Sequence, residues 1–295
     1  MVNRFLVGLI PSLPRALVSR VASRYVAGES IENALRAAED LNRQGCRVTL
    51  AALGEHSDRE ESQRTLDAYL ELLDRIQAAG VDANISIKPT HLGLDVDPDL
   101  CFHNLQRLVE EAASRDSFVR IDMENRHSTD LTLGMYRRLR IEHSNLGIVL
   151  QSCMRRTLRD VDALQTGSAN VRVCKGIYVE PAEISFQSFD RIRSAFVDTV
   201  AALFDRDAYV AIATHDEYLL DRCQEEIARR GLDKDRYEFQ MLLGVRRGLR
   251  QQLQRAGHPM RVYVPYGAEW YDYSIRRLQE NPRIAGHVVR ALFRP

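Results

Sequence analysis

Short apolar runs and longer, mostly polar stretches alternate eight times along this chain. The apolar runs occupy residues 47–53, 84–88, 118–122, 147–151, 171–175, 209–214, 237–242 and 261–265. Each is short and rich in Val, Ile, Leu or aromatics, as buried strands are. Between them, apolar residues recur at three- and four-residue spacing. Leu66, Tyr69, Leu70, Leu73 and Ile76 form one such stripe, and Val197, Val200, Ala201 and Phe204 belong to another. That period predicts helices with one face turned to a core. Eight strands separated by helices predict an α/β fold, a closed parallel (β/α)8 barrel, with a doubly wound open sheet as the alternative. No G-x-G-x-x-G follows the first strand, which weakens a dinucleotide-binding sheet.

No low-complexity linker or break in composition divides the chain, so residues 1–295 read as one domain, with N-terminal helices over 1–45. Residues 1–28 contain Arg4, Arg15, Arg20 and Arg24 and no acid, which superficially matches a transit peptide. Pro11 and Pro14 interrupt that pattern, and a folded helical segment is expected instead. Its Leu, Val and Phe residues would also suit a weak membrane-surface face.

Formal net charge is zero, so charge implies no nucleic-acid or anionic-membrane partner. Five scattered cysteines without a C-x-x-C pair indicate a reducing compartment, not a disulfide framework or zinc site. The expected location is cytoplasmic, or peripheral on the inner face of a membrane (the matrix side in a mitochondrion). No apolar run approaches the ~20 residues that span a bilayer.

One imbalance changes the picture. Of the 41 basic residues only Lys88, Lys175 and Lys234 are lysines. Lys88 and Lys175 each end an apolar run, and a lysine at a strand end in an arginine-rich chain is a candidate working residue. In a barrel, chemistry belongs at the strands' C-terminal ends. That rim would carry Gly54-Glu55, Lys88, Asp122, Glu124, Gln151, Lys175, Thr214-His215, Gln240 and Tyr266. Arg172 lies inside a strand, where an unpaired charge is costly. It needs an acid or a ligand, with Asp122 and Glu124 as candidate acids; an internal ion-pair network is the plainer reading. Tyr273, Arg276 and Glu280 share a helical face, with Arg277 beside them. Two adjacent guanidinium forks suit a carboxylate, although an exposed helical salt bridge also explains the spacing. Asp122, Glu124 and His127, or Glu55-His56, lack paired-ligand spacing, so no metal is expected. A lysine at a barrel rim also suits Schiff-base chemistry, with Lys88 or Lys175 as nucleophile.

Assembled in order, these motifs resemble the proline dehydrogenases. The matching segments are Leu53-Gly54-Glu55, Ser86-Ile87-Lys88, Arg120-Ile121-Asp122-Met123-Glu124, Gln151, and the run from Val171 through Tyr178. They continue with Ala213-Thr214-His215, Glu238 to Leu242, Tyr263-Val264-Pro265-Tyr266-Gly267 and Tyr273 to Asn281. The resemblance implies FAD as cofactor and L-proline as substrate. Hydride would pass from the substrate C5 to the flavin N5, giving Δ1-pyrroline-5-carboxylate, and electrons would go on to a membrane quinone. Lys88, Arg276 and Arg277 would clamp the carboxylate, with Glu280 holding a guanidinium fork. Tyr178, Leu242, Tyr263 and Tyr273 would wall the ring. Arg172 would lie against the flavin, and Asp122 would organise the site beneath by hydrogen bonding to Tyr263. Met123, Gln151, Lys175, Gly176, Ile177, Thr214 and His215 would contact FAD. Ile177 departs from the small residue usual there. Tyr263 favours proline over hydroxyproline, the alternative cyclic imino acid. The chain is too short to add an aldehyde dehydrogenase domain, so a monofunctional enzyme is expected, with a separate pyrroline-5-carboxylate dehydrogenase downstream.

Overall fold

A computed structural model describes residues 22–271 and 273–275. Eight parallel strands close in sequence order into a barrel. They are β1 (Arg47–Ala52), β2 (Ala83–Ile87), β3 (Val119–Ile121), β4 (Leu146–Gln151), β5 (Asn170–Cys174), β6 (Tyr209–Ala213), β7 (Tyr237–Leu242) and β8 (Met260–Tyr266). The seam closes by β1 against β8, with Val48 opposite Val262 and Leu50 opposite Val264. The expected barrel is thus the observed one, and each strand lies within one or two residues of its predicted bounds.

Helix α1 (Ile31–Arg43) precedes the barrel and packs on β1 and β8. Then follow α2 (Arg59–Ala79), α3 (Pro98–Ala113), α4 (Arg126–Arg140), α5 (Thr157–Asp162), α6 (Phe189–Asp205), α7 (Glu217–Arg230) and α8 (Arg247–Arg255). Their starts are written locally. Ser30 with Asn33 and Asp58 with Glu61 form reciprocal capping boxes at α1 and α2. Asp97 caps α3 ahead of Pro98, which suits the first helical position.

The apolar core lies outside the barrel wall. Val48, Leu50, Ile85, Ile87, Val119 and Ile121 are buried in the cluster that the helices share. Their strand neighbours point the other way, because successive side chains alternate. Apart from Val149 and Ala211, which flank Arg172, many of those inward positions are polar: Thr49, Asn84, Ser86, Arg120, Arg172, Glu238 and Gln240 are all buried. Barrels of this type usually fill the interior with branched aliphatics; here hydrogen bonds hold it. Thr49 Oγ1 donates to Asn84 Oδ1 at 2.5 Å. Arg120 donates to the carbonyls of Ile148 and Asn170. Gly147 makes room for Arg120, since a Cβ there would collide with Arg120 Nη1.

Candidate active site

A cavity of about 1130 Å³ opens at the C-terminal rim of the barrel. Its floor is Arg172. This side chain leaves β5 inward, and three strands hold it. Nη1 donates to Asp122 Oδ1 at 2.7 Å and to Ser86 Oγ at 3.1 Å. Nε donates to Gln240 Oε1 at 2.6 Å. The guanidinium also lies 5.3 Å from the centre of the Tyr263 ring, a cation–π distance. Nη2 is buried and has no hydrogen-bond partner among the described residues. A buried N–H without an acceptor is costly.

Asp122 ties this floor to the wall. Its Oδ1 accepts from Ser86 Oγ at 2.7 Å, and its Oδ2 accepts from the Tyr263 hydroxyl at 3.3 Å. Burial and the neighbouring Asp122 push the Tyr263 phenol well above its ordinary range, so it stays a donor. Of the two acids expected near Arg172, only Asp122 pairs with it. Glu124 turns away and accepts from both the backbone N–H and the hydroxyl of Thr90. Burial raises its pKa.

The β5–α6 loop forms one side of the cavity. Gly176 has φ +100°, and a Cβ there would collide with Cys153 Sγ. Only glycine accepts both the conformation and the approach. Lys175 Nζ pairs with Asp216 Oδ2 at 3.2 Å, and Arg193 forks onto the same carboxylate at 2.7 and 2.9 Å. Burial alone would raise the Asp216 pKa, but Arg193 and Lys175 together hold it below the ordinary value. His215 Nε2 accepts from the Leu242 N–H at 2.9 Å, which fixes the ring against β7. Across the opening, Lys88 Nζ lies 3.7 Å from Glu55 Oε1.

The family model described as proline dehydrogenase matches residues 34–290. The chain belongs to the proline dehydrogenase family. A proline dehydrogenase of Deinococcus radiodurans is 35% identical over 291 residues, covering 97% of this chain and 94% of that one. Proline dehydrogenase 1 of Bacillus subtilis is 31% identical over 274 residues, covering 92% and 91%. Among solved structures, proline utilization A (PutA) of Bdellovibrio bacteriovorus superposes with a TM-score of 0.85 at 22% identity. That match covers 94% of this chain, which spans only 36% of that PutA, and it concerns the fold.

Fourteen residues singled out for a proline dehydrogenase site line this cavity. They are Lys88, Asp122, Met123, Gln151, Arg172, Lys175, Gly176, Ile177, Tyr178, Thr214, His215, Leu242, Tyr263 and Tyr273. Arg276, Arg277 and Glu280 lie outside the described residues. Ile177, the departure from the family pattern, is 58% exposed at the mouth. Tyr266 ends β8 as expected, but it packs in the apolar core and does not line the cavity. Lys88 and Lys175 each sit beside a carboxylate, whereas a nucleophilic lysine needs a neutral amine in apolar surroundings.

Sequence reading assigned no function to Gln240, Ser86 or Asp216. Gln240 was named only as a rim residue and within a motif, Ser86 only within a motif. A polar residue two positions before a strand end, such as Gln240 before Leu242, was the available signal. Among the described residues no group of three or more His, Cys, Asp or Glu is placed to hold a metal. No helix there is long and apolar enough to cross a membrane.

Proposed function

We propose that this chain oxidises L-proline to Δ1-pyrroline-5-carboxylate with FAD as cofactor. The observation that carries the reading is the buried Arg172 guanidinium at the cavity floor, tied to Asp122, Ser86 and Gln240. The fit to FAD rests on three features. The cavity exceeds the roughly 300–1,000 Å³ of an ordinary small-molecule pocket, so it suits a cofactor and a small substrate together. Gly176 brings backbone against the cavity where a Cβ would collide. The Arg172 guanidinium lines the cavity and supplies a positive charge where a reduced, electron-rich ring system benefits from it.

Bound FAD would supply the hydride acceptor. Everything else is positioning and electrostatics from the chain itself. Lys88, with Arg276 and Arg277, takes the substrate carboxylate, and Glu280 steadies the forks. Tyr178, Leu242, Tyr263 and Tyr273 exclude water from the ring and orient its C5. Asp122 holds Arg172 and Tyr263 in one geometry. Met123, Gln151, Lys175, Gly176, Ile177, Thr214 and His215 line the cofactor's side. The same reading makes a membrane quinone the electron acceptor, which places the protein at a membrane surface when it turns over. A separate pyrroline-5-carboxylate dehydrogenase then takes the product.

The test is optical. Purified protein should be yellow, and its flavin absorbance should bleach anaerobically on adding L-proline but much less with trans-4-hydroxyproline. Colourless protein that takes up no added FAD sinks the reading. A yellow protein bleached equally by both substrates removes the assignment of Tyr263 to substrate choice.

A further inference from the structure

Beneath Arg172 the polar interior continues as one hydrogen-bonded line. Gln240 accepts from Arg172 Nε through Oε1 and donates through Nε2 to Glu238 Oε1 at 2.7 Å. Arg261 Nε donates to the same Glu238 oxygen at 2.8 Å. Glu238 and Gln240 are i and i+2 on β7, so both point into the barrel. Glu238 is 1% exposed, Gln240 4% and Arg172 6%, so water does not compete for these bonds. The line therefore runs from the cavity floor to the opposite mouth of the barrel, where Arg47 Nη1 lies 3.8 Å from Glu238 Oε2.

The chemistry of the line fixes its direction. A carboxylate only accepts and a guanidinium only donates. The Gln240 amide must then turn its NH₂ to Glu238 and its oxygen to Arg172. Burial would push the Glu238 carboxyl up, but Arg261, the Gln240 amide and Arg120 hold it below the ordinary value and keep it an acceptor.

We propose that Gln240 and Glu238 are positioning residues that orient Arg172 toward its ligand, Glu238 setting the amide of Gln240 and Gln240 setting the guanidinium. Asp122 and Ser86 hold Nη1 alone; the Nε bond fixes the rotation of the fork and so the direction of Nη2. This rests on Arg172 being the cofactor-facing cation.

Three variants separate a positioning line from mere filling of space. Gln240→Leu keeps the volume and removes both hydrogen bonds. Gln240→Glu sets two carboxylates against each other. The swap Glu238→Gln with Gln240→Glu restores the bonds between positions 238 and 240 and from Arg172 to 240. Its amide, moved to position 238, donates to the carboxylate at position 240, and that carboxylate accepts from Arg172; Arg261 Nε, which now shares Glu238 Oε1 with Gln240, must turn to the amide oxygen.

In the flavin-loaded enzyme, Gln240→Leu should lower kcat about tenfold or more with KM for L-proline within about twofold, and should move the flavin midpoint potential to more negative values. The swap should recover kcat and potential where Gln240→Glu alone does not. Unchanged kcat and potential in Gln240→Leu, or a swap no better than Gln240→Glu, overturns the proposal. Should Gln240→Leu not fold, the comparison of Gln240→Glu with the swap decides alone. A second readout needs no flavin. The nitrogen-15 resonance of Arg172 Nε–H, identified by its loss in Arg172→Lys, should exchange slowly with water in the purified chain and rapidly in Gln240→Leu. Fast exchange in the unaltered chain overturns the line even where proline oxidation succeeds. Slow exchange in a chain that takes up no FAD leaves the line standing and sinks the cofactor reading.

Discussion

Asp122 gives one carboxylate oxygen to Arg172 and Ser86 and the other to the Tyr263 hydroxyl. Truncating it strands a buried guanidinium, and breaking a buried pair from one side typically costs about 3–5 kcal/mol. Asp122→Ala should therefore lower stability in urea by about 3 kcal/mol. It should also cut kcat/KM for L-proline by about two orders of magnitude, measured at steady state. The sequence offered Asp122 and Glu124 as equal partners for Arg172. They differ because Asp122 continues the inward face of β3, two residues after Arg120, whereas at Glu124 the chain has left the strand and meets Thr90. His91 was silent in the sequence. Burial and the nearby Lys88 lower its pKa from 6.5 to about 4, so the folded protein keeps it neutral. The unfolded chain binds that proton near pH 6.5 and the folded one only near 4. This contribution is present above pH 6.5 and is lost as pH falls through that window to about 4. The urea midpoint should fall over that interval, and His91→Gln should flatten the fall.

Strands were more legible than helical faces. Each β run was found within one or two residues, because a short apolar run bounded by polar residues has few other foldings. The helix stripes were right in period; Leu66, Tyr69, Leu73 and Ile76 are buried as expected on α2, and Val200 and Phe204 on α6, with departures at single positions. Leu70 is only partly buried while Leu72 is buried on α2. On α6 the buried residues are Phe196, Thr199, Val200, Leu203 and Phe204, with Val197 at the edge. A helix buries a stripe about 100° wide, and where that stripe sits depends on the strands beneath it. Between elements, Gly147 on β4 fits closely against Arg120 of β3 and Asn170 of β5. Gly147→Ala would push a methyl into Arg120 and the Asn170 carbonyl, with 2.5 Å to the latter. Overpacking of this kind costs about 1–3 kcal/mol. Gly147→Ala should lower the thermal midpoint while a cap variant such as Asp58→Ala, worth about 1 kcal/mol, shifts it less.

For the whole molecule, stability and chemistry occupy opposite faces of the same strands. The outward face packs the apolar shell, and the inward face holds charges and amides. Neighbours on β2 should show this. Ile85 is fully buried in the shell, so Ile85→Ala should cost about 2–5 kcal/mol in urea with KM for L-proline unchanged. Ser86→Ala should cost about 1–3 kcal/mol in urea and, unlike Ile85→Ala, also lower kcat, because Ser86 Oγ bridges Arg172 and Asp122. By itself the sequence determined the alternation of strands and helices, hence the barrel, and the rim where Lys88, Gln151, Lys175 and His215 gather. Those follow from local periodicity and from parallel strands all ending at one face. Only the tertiary structure decided which acid meets Arg172 and that Gln240 and Glu238 lie beneath it. It also decided that the barrel is polar within. Those contacts join β2, β3, β5, β7 and β8 across the barrel, and the distance between such strands is set by closure of the sheet.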